Sequence, residues 1–372
     1  MMNLLSASYT LPDGPVSIAR LPGVPEPGLG HAALFAAARH VDATRVFVAG
    51  PGATATALWA ARAGAAVTCW TENAAEGQAL AASFAQNRLP TPQSLVQADF
   101  AGLEPASCEA AFIHLPRGRA LQDEALRLAA AMLIPGGRLV FVGATNEGVK
   151  SALQQANAIF GQAGIVVRKG GYHAGLAQRP DGDFPLPQVH RAEQNIVVDG
   201  VPTRLVSYAG AFAAERLDDG AAALIAGMQI TPGARVLDLG CGTGLVGLAA
   251  LRRGAHAVLT DVSARAVLSA QETLTANGYP GVPVAHACGA ATMGTATFDA
   301  VIANPPFHQG KGIHFEAAQM FIQEASRVLK AGGMLYLVAN AFLGYEPWLR
   351  VHFNKVQPVW EDKRFRVWEA RK

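Results

Sequence analysis

Two stretches of this chain repeat each other at a fixed distance, and that repeat limits the fold more than any single motif. Arg45-Val46 recurs as Arg235-Val236, Gly50 and Gly52 as Gly240 and Gly242, and Asn87 as Asn277. Glu109-Ala110 recurs as Asp299-Ala300, and Pro116 as Pro306, all at an offset of 190. Further on, Pro135-Gly136-Gly137 answers Ala331-Gly332-Gly333 at an offset of 196, so the second copy gains its extra residues just after Asn304-Pro305-Pro306-Phe307. A constant offset over so long a stretch points to tandem duplication of one folding unit.

The unit alternates strands and helices. Arg45 to Ala49 reads as a strand that breaks into the glycine turn Gly50-Pro51-Gly52, and Ala53 to Gly64 as a helix. Strand, helix, strand, helix and strand follow at 65–70, 74–87, 110–115, 121–133 and 137–142. Such alternation predicts a doubly wound, mostly parallel sheet. The predicted class is therefore α/β, with two tandem Rossmann-like domains at residues 1–185 and 186–372. Residues 1–30, rich in proline and glycine, read as an irregular lead-in, and 179–187 as a proline-rich linker. Asp199-Gly200, between two apolar runs, signals a hairpin that opens the second domain.

Length and composition agree with two cores. The chain has 372 residues, 51% of them hydrophobic and 16% charged, which excludes a disordered protein. A net charge of +2 excludes coating of nucleic acid by bulk charge and leaves RNA contact to a local basic patch. Arg117, Arg119, Arg168 and Lys169 are the candidates in the first domain. The four cysteines are widely spaced, so no metal site or disulfide framework is expected, and a reducing compartment is. With no basic leader and no long apolar run, the expected location is the cytoplasm, with no membrane contact. A monomer is expected.

The copies differ where chemistry would reside. Val48 stands where the second copy has Asp238, Thr54 for Gly244, Thr71 for Asp261, and His114-Leu115 for Asn304-Pro305. The first copy thus keeps turns and core and lacks the polar groups. Its Glu72 is the candidate stand-in for the lost carboxylate.

In the second copy, Asp238-Leu239-Gly240-Cys241-Gly242-Thr243-Gly244 follows a predicted strand and opens a helix at 245–252. Glycines there allow a tight turn and close approach of backbone to ligand. Dinucleotide enzymes share such turns. Three details point elsewhere: the acid two residues before the first glycine, the Gly-x-Gly-x-Gly spacing, and Asp261 at the end of the next strand, placed to accept hydrogen bonds from a ribose diol.

This pattern resembles the class I methyltransferases that use S-adenosylmethionine. Asn304-Pro305-Pro306-Phe307 resembles the (Asn/Asp)-Pro-Pro-(Phe/Tyr) signature of amino-methyltransferases. An exocyclic amine is a poor nucleophile because its lone pair is delocalised. The Asn304 side-chain oxygen and the Pro305 carbonyl are suited to accept both N–H bonds, which aims the lone pair at the methyl group. Proline fixes that carbonyl's direction, and Phe307 offers a stacking face for a base.

Adding Gly210-Ala211-Phe212, Leu217-Asp218-Asp219-Gly220 and Val338 to Leu343 with Tyr345, residues from about 190 to 372 resemble the ribosomal RNA small-subunit methyltransferase C and large-subunit methyltransferase G group. That resemblance implies transfer of a methyl group to guanine N2 in ribosomal RNA, 16S by expectation, with the RNA or the assembled small subunit as partner. It implies that Asp238, Gly240, Cys241, Gly242, Thr243, Gly244, Asp261, Val262, Cys288, Gly289, Phe212 and Asp218 lie along the cofactor. Asn304, Pro305, Pro306 and Phe307 would hold the target. It also implies a non-catalytic first copy that supports folding and RNA placement. Many such enzymes carry an acid after the fourth strand to read adenine, whereas this chain has His286-Ala287-Cys288-Gly289. Remaining alternatives are methylation of adenine N6 or of protein glutamine, a non-catalytic RNA-binding assembly factor, and a nicotinamide dehydrogenase, which leaves Asn304 to Phe307 unexplained.

Overall fold

A computed structural model of the chain describes residues 5–212, 216–306 and 315–372. The chain divides into two compact units, one ending at Val189 and the other running from His190 to Lys372. The first contains strands β1 (Leu5–Leu11), β2 (Gly14–Arg20), β3 (Arg45–Ala49), β4 (Ala66–Thr71), β5 (Gln93–Val96), β6 (Cys108–His114), β7 (Leu133–Ala144), β8 (Ala163–Lys169) and β9 (Tyr172–Gln178). Its helices are α1 (Leu29–Ala38), α2 (Thr54–Arg62), α3 (Ala74–Gln86), α4 (Arg119–Met132) and α5 (Val149–Phe160). The second contains β10 (Arg191–Val198), β11 (Val201–Tyr208), β12 (Arg235–Leu239), β13 (His256–Asp261), β14 (Val284–His286), β15 (Phe298–Ala303), β16 (Leu329–Asn340), β17 (Lys355–Glu361) and β18 (Phe365–Arg371). Its helices are α6 (Asp219–Gly227), α7 (Leu245–Arg252), α8 (Ala264–Ala276), α9 (Phe315–Val328) and α10 (Glu346–His352).

Each unit builds a seven-stranded sheet of the same order, β5-β4-β3-β6-β7-β9-β8 in the first and β14-β13-β12-β15-β16-β18-β17 in the second. Pairing is parallel except around β9 and β18. The fold is therefore α/β, with two tandem Rossmann-like sheets. Both faces of the second sheet are covered. Val236, Ala300 and Ile302 face one core, and Leu237, Leu239, Val301 and Ala303 face the other. That is why β12 and β15 read as nearly unbroken apolar runs.

Two expectations are corrected. The lead-in at 1–30 is not irregular, because β1 and β2 form an antiparallel hairpin there. It is the counterpart of the hairpin β10–β11. Corresponding side chains clamp both, an asparagine and a hydroxyl residue in each unit. Ser17 N–H donates to Asn87 Oδ1 at 3.0 Å, and Ala19 N–H to Ser83 Oγ at 2.9 Å. In the second unit Arg204 N–H donates to Asn277 Oδ1 and Val206 N–H to Thr273 Oγ1, each at 3.1 Å. The duplication therefore includes the hairpins, and the repeated asparagine exists to satisfy strand backbone that no neighbouring strand pairs. The alternation of Ser8-Tyr9-Thr10-Leu11 before Asp13-Gly14 carried this signal.

The second correction is the linker. Arg179 is buried, donates to the carbonyls of Ala130 and Gly182, and stacks over Phe184 at 4.9 Å. Phe184, Leu186 and Val189 pack on the first unit's core. Residues 179–189 are thus laid onto that unit rather than bridging the two units free of both.

Candidate active site

β12 and β15 lie side by side with Leu239 opposite Ala303, so Gly240 and Asn304 leave the sheet together. β13 flanks β12 on the other side. The winding reverses at this point, and the carboxyl ends of the strands open the crevice where doubly wound sheets bind ligands.

Gly240, Gly242 and Gly244 have φ of +75°, +54° and +80°, which glycine adopts without the cost of a Cβ. Backbone amides hold the turn. Gly240 and Cys241 N–H both donate to the Thr260 carbonyl at 2.9 Å, and Gly244 N–H donates to the Cys241 carbonyl at 2.8 Å. Gly242 N–H donates to Asp261 Oδ2 at 2.8 Å, while Asp261 Oδ1 accepts from Ser263 N–H at 2.9 Å. Asp261 therefore shapes the turn as well as facing the crevice. Asp238 is buried, and its Oδ2 accepts from Gly247 N–H, in the first turn of α7, at 2.7 Å. Burial pushes its carboxyl up to about 7; the Gly247 bond opposes the rise and the Asp261 charge adds to it.

The remaining predicted cofactor positions fall around the same rim. Thr243 is buried in the turn. The Val262 carbonyl meets His286 Nε2 at 3.0 Å, which ties the end of β13 to β14. Cys241 and Cys288 are buried thiols. Burial, with the Asp261 and Asp238 charges, holds the Cys241 thiol well above its ordinary range, and burial pushes Cys288 up to about 11. Neither is a nucleophile at neutral pH. Gly289 has φ of +57°. Phe212 is 64% exposed, and its carbonyl is the nearest atom, at 3.6 Å, to where a Cβ on Gly242 would stand.

On the target side, Asn304 is half-buried, Pro305 buried and Pro306 exposed. Asn304 Nδ2 donates to Asp218 Oδ2 at 3.1 Å. The same Asp218 oxygen accepts from Ala221 N–H, also at 3.1 Å, and so caps α6. Sequence reasoning grouped Asp218 with the cofactor and missed its link to Asn304, 86 residues away. Phe307, and the segment 308–314 after it, lie outside the described residues. Beyond β16, Leu343 and Tyr345 are core, while Phe342 is exposed.

The corresponding crevice of the first unit is filled. A Cβ on Gly50 would stand 1.8 Å from the His114 carbonyl oxygen, and one on Gly52 3.1 Å from Pro25. His31 Nε2 lies 2.8 Å from the Gly52 carbonyl, and the His31 and His114 rings stack at 4.4 Å. His114 in turn bonds Thr56 at 2.8 Å. The carboxylate that receives Gly52 N–H, at 3.1 Å, is Glu76, so the stand-in expected at Glu72 is corrected to Glu76. Burial pushes the Glu76 carboxyl up to about 7.

The second unit's cradle fits S-adenosylmethionine and the first unit's does not. Among the described residues, a Cβ on Gly240 would meet the Phe321 ring, at 2.8 Å, and no backbone atom within 4 Å, whereas one on Gly50 meets the His114 backbone. Asp261 is half-buried at the cradle's rim and Asp238 is buried beneath it, carboxylates of the sign that suits a cationic ligand. Among the described residues no group of three or more His, Cys, Asp or Glu is placed to hold a metal. No described helix is long and apolar enough to cross a membrane.

Known proteins resemble this chain in sequence and in fold. Residues 202–369 match the family model described as the methyltransferase small domain. A Pseudomonas aeruginosa (strain LESB58) protein named ribosomal RNA small subunit methyltransferase C is 37% identical over 271 residues, covering 70% of this chain and 79% of that one. The Ectopseudomonas mendocina protein of the same name is 34% identical over 316 residues, covering 82% and 88%. Among solved structures, the T. thermophilus 16S rRNA N2 G1207 methyltransferase (RsmC) in complex with AdoMet and guanosine superposes with a TM-score of 0.83 at 27% identity, covering 99% of this chain and 98% of that one. With relatives at 37% and 34% identity matched over most of their length, the chain belongs to the ribosomal RNA small subunit methyltransferase C family.

Proposed function

We propose that this protein methylates the exocyclic N2 amine of a guanine in 16S ribosomal RNA, using S-adenosylmethionine. The observation that carries this reading is the paired exit of Gly240 and Asn304 from adjacent strands, which sets a cofactor cradle beside an amine acceptor. Asp238, Gly240, Gly242 and Gly244 hold the amino-acid end of the cofactor, with Cys241 and Thr243 contributing backbone. Asp261 holds the ribose. Val262, Cys288, Gly289 and Phe212 line the rest of that side. When bound, the cofactor supplies an electrophilic methyl group on a cationic sulfonium.

The chain's own residues do the remainder. Asn304 Oδ1 accepts one N–H of the target amine, and the Pro305 carbonyl accepts the other. This pyramidalises the nitrogen and directs its lone pair. Pro306 and Phe307 shape the base-binding side. A transcript carrying inosine in place of guanosine lacks the N2 amine and is expected to take up no methyl label. Equal labelling of both transcripts would redirect the assignment to another base.

Two outcomes follow from the cradle. Asp261→Ala removes the acceptor for both Gly242 N–H and Ser263 N–H, together with the ribose contact. Its affinity for S-adenosylmethionine is expected to drop at least about tenfold by calorimetry; unchanged affinity would mean the ribose is held elsewhere. Asp238 titrates near 7 in the free protein, and a cationic ligand favours its ionised form. Binding below pH 7 is then accompanied by proton release. Affinity is expected to rise by up to about tenfold per pH unit as the pH climbs to 7, and to level off above it. A flat profile between pH 5.5 and 8 would place the positive charge away from Asp238.

For the first unit we propose a supporting and RNA-placing role on the same RNA or the assembled small subunit. Its filled crevice leaves no room for a cofactor. Arg117 is committed to Glu147 at 2.8 Å, whereas Arg168 and Lys169 are exposed at the end of β8. Reversing the charge of Arg168 and Lys169 together is expected to weaken RNA binding at least about tenfold at low salt and to flatten its salt dependence, with cofactor affinity unchanged. Unaltered RNA affinity would move the footprint to another face.

A further inference from the structure

We propose that Asp218 is a positioning residue for the methyl acceptor: it fixes which end of the Asn304 amide faces the target amine. The inference rests on the reading of Asn304 as that acceptor. Asp218 performs two tasks with one oxygen. It caps α6 through Ala221 N–H at 3.1 Å and receives Asn304 Nδ2 at 3.1 Å. The cap needs an oxygen at this position to receive Ala221 N–H. Asn304 meets that same oxygen, and a carboxylate oxygen only accepts hydrogen bonds, so the amide end that meets it is the NH2. A flipped amide would set oxygen against oxygen, unbonded. Oδ1 is therefore held off Asp218 and kept as an acceptor for a substrate N–H.

Gly220 supports this arrangement. A Cβ there would stand 2.9 Å from Asp218 Oδ2 and 3.3 Å from Asn304 Oδ1, so the glycine leaves both oxygens their room. The adjoining Phe365 ring, at 3.4 Å from the same point, closes that side. The target amide thus takes its orientation from a helix cap contributed by a distant part of the chain.

The test is Asp218→Ser in the full-length protein, with 16S ribosomal RNA and S-adenosylmethionine. Serine caps a helix about as well as aspartate, but its shorter side chain withdraws the acceptor from Asn304, so the amide is no longer held in one orientation. The turnover number is expected to fall about 10- to 100-fold, with the cofactor's KM and calorimetric Kd within about twofold of wild type and the thermal midpoint unchanged. Asp218→Asn sharpens the test. Ala221 N–H holds its amide oxygen at the capping position, the same position that Asn304 Nδ2 meets, so this variant is expected to recover at least about tenfold of the rate lost in Asp218→Ser. Wild-type turnover in Asp218→Ser, or a loss of cofactor affinity that matches the loss of turnover, would overturn the proposal. Wild-type protein assayed in parallel separates the two claims. If it methylates guanine N2 and Asp218→Ser equals it, only the positioning role falls; if it leaves guanine N2 unmodified, the acceptor reading falls too.

Discussion

Asn304→Ala is expected to lower methyl transfer about 100- to 1,000-fold while leaving affinity for S-adenosylmethionine within about twofold of wild type. The size follows from where the residue acts. In the proposed mechanism its Oδ1 accepts an N–H that grows more acidic as the nitrogen attacks, so the bond is stronger in the transition state than before it. The cradle is untouched, because the Gly240 to Gly244 turn takes its hydrogen bonds from Thr260, Asp261 and Cys241. The helix cap is also untouched, because Asp218 keeps Ala221 N–H. Single-turnover rates measured beside cofactor calorimetry separate the two effects. Wild-type-like transfer would remove Asn304 from the chemistry.

Gly50→Ala is expected to cost about 4 kcal/mol of stability in the first unit, from two additive causes. Gly50 has φ of +104°, a conformation that alanine adopts only under strain. The new methyl would also stand 1.8 Å from the His114 carbonyl oxygen, a backbone atom that cannot swing aside. The thermal midpoint of that unit should drop by about 10 °C. Gly240→Ala, at the matching position, carries the same kind of strain at φ of +75° but meets the Phe321 ring and not backbone, so it should cost less stability than Gly50→Ala and should also weaken cofactor binding. An unchanged midpoint for Gly50→Ala would mean that the first crevice is not packed shut as described here.

These two substitutions mark what was legible in the sequence. Strand and helix alternation, the duplication, the glycine turn and Asn304-Pro305 were readable because each is a local pattern with a fixed period or spacing. The differences Val48 for Asp238 and His114 for Asn304 were readable as loss of polar groups. What fills the gap was not, because His31 and Pro25 enter from residues before the repeat and meet Gly52 only in space. Glu76 was overlooked for a related reason. A helix places it back over the glycine turn, whereas Glu72 merely sits next to the lost acid in sequence. The link between Asp218 and Asn304 is likewise a tertiary contact, and an acid in Leu217-Asp218-Asp219 reads locally as a helix cap and nothing more. The hairpin at the N-terminus was hidden by its prolines, which lie in turns and at a strand start, where proline is tolerated.

The central claim is tested most directly by transfer of tritiated methyl from S-adenosylmethionine to unmodified 16S ribosomal RNA and to small ribosomal subunits, followed by nucleoside analysis. The label is expected in N2-methylguanosine, in at least one of the two substrates, and to be lost with Asn304→Ala. Label in N6-methyladenosine, label in protein, or no transfer to either substrate would contradict the account.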